Sequence, residues 1–125
     1  MNRILLDTHA VLWWLADDPR FSERARSEIA DAEAEVLVSA ASIWEIAIKR
    51  ALGRLRVPDA LPDAIEVEGF QWLPITPAHS WAVGSLGDHH RDPFDRMLVA
   101  QAGAEDVPLV SSDAGLAAYE IEIRW

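Results

Sequence analysis

Asp7 closes a run of three apolar residues, Ile4-Leu5-Leu6, that reads as a strand buried on both faces. The residues after it, Ala10, Val11, Trp13, Trp14 and Leu15, are dense enough in apolar side chains to form a helix packed on a sheet. Asp113 repeats that placement, between the apolar run Val107-Pro108-Leu109-Val110-Ser111 and a short helix. Open α/β sheets put ligand sites at such strand-to-helix junctions. Glu45 stands mid-helix between Ile43-Trp44 and Ile46-Ala47-Ile48, with almost no polar face around it. A buried charge is costly without a partner, so Glu45 must pair, bind a cation or reach a cleft. Asp92 and Asp95 flank Pro93-Phe94.

Each acid also has a structural explanation. Asp7 and Asp113 suit helix N-caps. Glu45 can reach solvent or pair with Lys49 four residues on. Asp92 fits the cap before a first-turn proline, and Asp95 the first turn, where the helix dipole favours a carboxylate. Spacing alone does not separate Asp92 from Asp95, although Asp92 has the stronger structural role. Taken together, oxygen-only ligands of this kind point to a hard divalent cation, Mg²⁺ or alternatively Mn²⁺. Such cations activate water and screen the departing oxyanion at phosphodiesters. No nucleophilic-serine motif, phosphate-cradling glycine loop or zinc spacing competes.

The positive charge is local. Lys49, Arg50, Arg54 and Arg56 fall together and are candidates for holding a phosphate backbone, although a solvated basic face is the commoner outcome. Thr8 beside Asp7 and Ser111 before Asp113 complete the candidate substrate contacts. His9 is a candidate to touch substrate, although a lone histidine is more often structural. His79, His89 and His90 show no ligand spacing. Six tryptophans are many for this length and most belong to a core. The adjacent pair Trp13-Trp14 does not fit one side of a helix, so one of them is expected to face a protein partner.

The elements that must carry these residues alternate. A helix capped by Ser22 runs through Ala25, Ile29 and Ala32, with Glu23, Arg24, Arg26, Glu28 and Asp31 on a solvated face. A strand at 36–39 leads into a helix over 41–52, closed by Gly53. A proline-containing loop spans 55–61, a helix 63–69, and an edge strand 72–75, since Pro74 cannot donate to a ladder. Thr76-Pro77 starts a helix through Leu86, a polar loop follows at 87–92, and Pro93 begins another helix. Ile121, Ile123 and Trp125 alternate as a last strand. This order predicts a single α/β domain over 1–125 with a mainly parallel sheet.

The 125 residues can bury a real core, and half of them are apolar. There is no cysteine, which excludes a disulfide framework and a thiolate metal site. The apolar start is interrupted by Asp7 and His9, so no secretion signal is evident, and no run has the length of a membrane span. A cytoplasmic location is expected. The net charge of −10 argues against generic nucleic-acid binding, which favours basic chains. It suits a basic partner, and bound divalent cations would offset part of it.

Four segments carry a resemblance. Leu5-Leu6-Asp7-Thr8-His9, Ser42-Ile43-Trp44-Glu45-Ile46-Ala47-Ile48-Lys49, the run from His90-Arg91-Asp92-Pro93-Phe94-Asp95-Arg96 to Ala102, and Leu109-Val110-Ser111-Ser112-Asp113 resemble the PIN-domain ribonucleases. Their order and spacing are most like those of the VapC toxins of bacterial type II toxin–antitoxin systems. The Asp-Pro-Phe-Asp-Arg segment is the most specific part. The resemblance implies a PIN-like three-layer α/β/α sandwich. It implies Asp7, Glu45, Asp95 and Asp113 as catalytic and metal-binding acids, with Asp7 and Asp95 foremost as direct Mg²⁺ ligands, and so chooses Asp95 over Asp92. It implies a Mg²⁺-dependent endoribonuclease that hydrolyses RNA, such as tRNA or rRNA, by metal-activated water. It also implies a VapB-type antitoxin that wraps the toxin, and a homodimer. The alternative from another class is a non-catalytic PIN-like module that keeps the acids for a metal or a basic partner.

Overall fold

The structure, a computed structural model, describes residues 2–125. Five strands form one sheet: β1 (Asn2–Leu6), β2 (Ala34–Ser39), β3 (Gln71–Leu73), β4 (Leu109–Val110) and β5 (Ile123–Arg124). Their order is β3-β2-β1-β4-β5 and all four pairings are parallel, so the sheet is wholly rather than mainly parallel. The helices are α1 (Thr8–Leu15), α2 (Glu23–Ala30), α3 (Ala40–Ala51), α4 (Leu61–Val67), α5 (Pro77–Ala82) and α6 (Pro93–Glu105). Two short 3₁₀ segments, Val83–Ser85 and Ala114–Ala118, follow α5 and β4.

The unbroken apolar run of β1 has a direct explanation. Ile4 and Leu6 point to one face of the sheet, with Val36, Val38 and Val110, and pack on Val11, Ala25, Ile29, Leu61 and Ile65. Leu5 points to the other, with Leu37, Leu73 and Leu109, and packs on Leu98, Val99, Ala102 and Leu116. Successive strand residues alternate sides, and both sides are covered by helices, so every residue must be apolar. The result is the three-layer α/β/α sandwich.

The topology creates the site. From β1 the chain steps outward to β2 and then β3, and later returns to place β4 on the opposite side of β1. The strand order therefore reverses between β1 and β4, and a crevice opens at their carboxyl ends. Leu6 pairs with both Val38 and Val110, so Asp7, Ser39 and Ser111 emerge at one level on that edge.

Several elements differ from the sequence reading. The helix expected over 63–69 begins at Leu61, because Pro62 fits inside a first turn that needs no proline N–H. The helix from Pro77 ends at Ala82 and tightens to a 3₁₀ turn before Leu86. The last strand is only Ile123–Arg124. Trp125 leaves it to pack on Trp13 and Phe21, with ring centroids 5.7 and 5.0 Å away. Arg26 and Glu28 are not simply solvated: they are half-buried and pair with Asp17 and Arg124.

The structure separates the two adjacent tryptophans. Trp13 is stacked on His9 at 5.5 Å, with the Arg20 guanidinium 4.6 Å from its ring centre. Trp14 packs on Phe21 and Phe70, and its Nε1 donates to Glu68 at 2.9 Å. Trp14 is covered by these contacts, whereas Trp13 is half-buried and keeps a face toward the space between α1 and residues 54–58. The outward tryptophans are Trp44, 57% exposed, and Trp81, 87% exposed.

Candidate active site

Each acid reaches the crevice from a different element. Asp7 leaves β1 and caps α1, its Oδ1 accepting from the Ala10 N–H at 2.8 Å. Asp113 follows β4 and caps the second 3₁₀ segment, Oδ1 accepting from the Gly115 N–H at 2.8 Å. Asp92 caps α6, taking the Phe94 and Asp95 N–H groups at 2.8 and 3.1 Å. That cap satisfies orphan donors of the first turn and lets Asp95 project from the second turn-forming position behind Pro93. Phe94 stands edge-on to Trp44 at 5.1 Å, which ties the start of α6 to α3.

Glu45 is buried at 5% exposure and fully engaged. Thr8 Oγ1 donates to its Oε1 at 2.7 Å, and Lys49 Nζ donates to its Oε2 at 2.6 Å. Ser42 Oγ lies 3.0 Å from the same Thr8 hydroxyl. Thr8 therefore orients an acid, a role that its spacing did not reveal. The Glu45 carboxylate in turn holds the Lys49 pKa above its ordinary value. Ser111 hydrogen-bonds the Asp7 carboxylate, and its Oγ also accepts from the Asp113 N–H at 3.0 Å.

The electrostatics show mutual strain among the acids. Burial pushes the Asp7 carboxyl above the usual carboxylate range, against hydrogen bonds from Ser111 and Ala10. Asp95 is raised to about 7, first by burial, then by Asp92, with Glu45 and Asp7 adding to it and His90 opposing. Like charges gathered out of water are relieved either by taking up a proton, which is what the raised values describe, or by a cation. Carboxylate oxygens of Asp95 and Asp113 lie within 4.8 Å of one another, and a His90 ring nitrogen lies within the same distance of both. Two ligands about 2.1 Å from one octahedral ion stand about 3 Å apart when adjacent and about 4 Å when opposite. The donor set and its strain thus fit a divalent cation.

Asp95 feels the charges of Glu45 and Asp7, and Asp7 feels that of Asp113, so the four expected acids lie around one crevice. Lys49 faces them. Arg50 does not: it turns to Asp59 on the outside of α3, one residue and 100° away from Lys49. The sequence reading missed two groups. His90, which shows no ligand spacing in the sequence, lies 3.1 Å from Asp113 Oδ2 and 3.5 Å from Asp95 Oδ2. Arg96 pins the loop before α6, donating to the carbonyls of Gly87, His90 and Val83 and to Tyr119 Oη. Its place one residue after Asp95 was the available signal. His79 is buried in a capping box with Thr76 and touches Gln101 and Glu105, away from the acids.

Beside the acids runs a groove of about 650 Å³ between α1 and the segment after α3. Leu12, Trp13, Leu15, Leu55 and Val57 give it an apolar floor, and Lys49, Arg54 and Arg56 a basic rim, while Arg20 in the same lining is paired with Asp18. Thr8 and His9 stand in its wall.

A parallel sheet with an acid-lined crevice at its switch point defines a class, and comparison with known proteins places the chain within it. The family model of the PIN domain matches residues 4–122. Ribonuclease VapC22 of Mycobacterium tuberculosis is 30% identical over 122 residues, which are 95% of this chain and 93% of that protein. The chain belongs to the PIN-domain family, among its VapC-type toxins. The fold is shared with VapBC2 from Rickettsia felis bound to a promoter DNA fragment, at TM-score 0.72, 10% identity and 98% and 97% coverage of the two chains. DNA-bound VapBC from Salmonella typhimurium aligns at TM-score 0.72 and 15% identity, covering 99% and 98%. FitAcB from Neisseria gonorrhoeae aligns at 0.68 and 18%, covering 96% and 95%.

Proposed function

We propose that this chain is the endoribonuclease toxin of a type II toxin–antitoxin pair, hydrolysing RNA phosphodiesters with Mg²⁺, for which Mn²⁺ can substitute. The observation that carries the reading is the meeting of Asp7, Glu45, Asp95 and Asp113 at the switch-point crevice of a VapC-type chain. Asp95 and Asp113, with Asp7 behind them, would hold the cation. Bound there, it would supply an activated water and charge screening for the departing oxygen. Glu45, oriented by Thr8 and Lys49, is the fourth acid of the set and places the Lys49 charge beside the others. Lys49 faces the acids from the groove side, where a phosphate oxygen would sit. Ser111 holds Asp7 and the backbone of Asp113 in place.

The groove supports the partner half of the reading. A VapB-type antitoxin segment with apolar side chains and acidic flanks would fit its floor and basic rim. tRNA or rRNA would approach along Lys49, Arg54 and Arg56, with Arg50 contributing little because Asp59 engages it. Trp44, Ile48 and Leu52 form an exposed apolar stripe at one face of α3, which supports a homodimer. Among the described residues no helix is long and apolar enough to cross a membrane, and a cytoplasmic toxin is the reading that goes with it.

The test is cleavage of a bulk tRNA and rRNA mixture with Mg²⁺ and with EDTA, beside Asp95→Asn and Asp7→Asn. Discrete fragments are expected with Mg²⁺ alone, and none from either variant. Asn at position 7 keeps an acceptor for the Ala10 N–H, so that variant should fold normally by circular dichroism. Cleavage that survives EDTA and both substitutions would refute the reading. Mg²⁺ binding with a wide RNA panel left intact would favour the non-catalytic module.

A further inference from the structure

Asp95 and Asp113 reach the crevice from different elements, and the cation site proposed above, on which this inference rests, needs them side by side. His90 is the group between them, its Nε2 3.1 Å from Asp113 Oδ2 and 3.5 Å from Asp95 Oδ2. Its other nitrogen is committed. The Asp92 backbone N–H donates to His90 Nδ1 at 3.1 Å. A ring nitrogen that accepts a hydrogen bond carries no proton, so the neutral ring carries its proton on Nε2. A protonated Nε2 has no in-plane lone pair to offer a cation. Metal-bound histidines show the opposite arrangement, in which the far nitrogen donates.

We propose that His90 is a positioning residue: a donor of fixed tautomer that holds the Asp113 carboxylate toward Asp95, and not itself a ligand of the ion. The surroundings are built for that task. Arg96 fixes the His90 carbonyl at 3.3 Å and the Gly87 carbonyl at 3.0 Å, which holds the loop against the start of α6. Asp92 caps α6 with its side chain and sets the imidazole with its backbone, so helix and ring are oriented by one residue. Asp113 is gripped at both oxygens, Oδ2 by His90 and Oδ1 by the Gly115 N–H. A Cβ at position 115 would stand 3.1 Å from Asp113 Oδ1 and 3.8 Å from His90 Cδ2, so glycine leaves the room this grip requires.

The test uses Mn²⁺ as an electron-spin probe on the full chain, with His90→Ala and His90→Gln. The wild type should bind Mn²⁺ with no imidazole ¹⁴N coupling in the spin-echo spectrum. His90→Ala should raise the Mn²⁺ Kd about 10- to 100-fold, the usual cost of losing a partner of a ligand. His90→Gln, whose amide nitrogen donates at similar reach, should recover most of that loss. Long-range ¹⁵N–¹H correlation of the wild-type imidazole should place the proton on Nε2, a readout that does not depend on either variant folding. A ¹⁴N coupling that disappears in His90→Ala, a proton on Nδ1, or an unchanged Kd would each overturn the proposal. A wild type that binds no Mn²⁺ would overturn the cation site itself, and this inference with it.

Discussion

Asp95 carries the clearest electrostatic consequence at the scale of one residue. Its carboxyl is raised from 3.8 to about 7, first by burial and then by Asp92. A raised acid binds its proton more readily in the folded chain than in the unfolded one. Its contribution to stability is therefore present below about pH 4 and lost as the pH rises through about 7. Thermal unfolding in EDTA should show Tm rising as the pH falls from 8 toward 5. Asp95→Asn should flatten that slope, and Mg²⁺ at pH 7.5 should raise the wild-type Tm by binding only the folded form. Asp18, held at about 2 by Arg20, works in the opposite sense but only in stronger acid. A wild-type Tm independent of pH across this range would show that Asp95 is not raised.

At the scale of the element, α6 shows how two neighbouring acids divide their work. Asp92 supplies the cap and Asp95 faces the crevice, and Pro93 between them sets the first turn. Asp92→Ala should cost about 1 kcal/mol through the lost cap, visible as a Tm lower by a few degrees. Asp92→Ser should restore most of it. Both variants remove the charge that helps to raise Asp95, so the Asp95 pKa should fall below about 7 in each, read by carboxyl ¹³C titration. Agreement of the two variants on pKa and their divergence on Tm would separate cap from charge. Identical Tm values would mean that the cap contributes nothing.

At the scale of the whole molecule, a net charge of −10 coexists with a basic-rimmed groove. An acidic surface repels nucleic acid, and under the proposed function the rim is the local exception. With cleavage removed by Asp95→Asn, RNA affinity should fall with salt. Adding Arg54→Ala and Arg56→Ala should reduce the slope of log K against log salt by about 0.7 for each cation lost. Fluorescence anisotropy across a salt series checks this. An unchanged slope would remove both arginines from the RNA path. Arg50→Ala is the control, since its pairing with Asp59 keeps it out of the groove.

Much of this was determined by the sequence alone. Apolar runs and caps are local, and so the strands ending at Leu6 and Val110, the Ser22, Thr76 and Asp92 caps, and the alternation of strands with helices were legible from neighbouring residues. Asp7, Glu45 and Asp113 were legible as candidates too, because each breaks a local pattern: a charge at the end of a buried strand, or in the middle of an apolar helix; Asp95 was separated from Asp92 only by the family resemblance. What only the tertiary structure decided involves groups far apart in the chain. Thr8 meets Glu45 across 37 residues and His90 meets Asp113 across 23. Trp14 is covered by Phe21 and Phe70 while Trp13, edge-on to Trp125, faces the groove, and Lys49 enters the site while adjacent Arg50 leaves it. Periodicity records which side of an element is buried, but not what the other elements bring to meet it. The direction of a loop imidazole and the choice between neighbouring cations are settled only when the strand order brings the ends of β1 and β4 together.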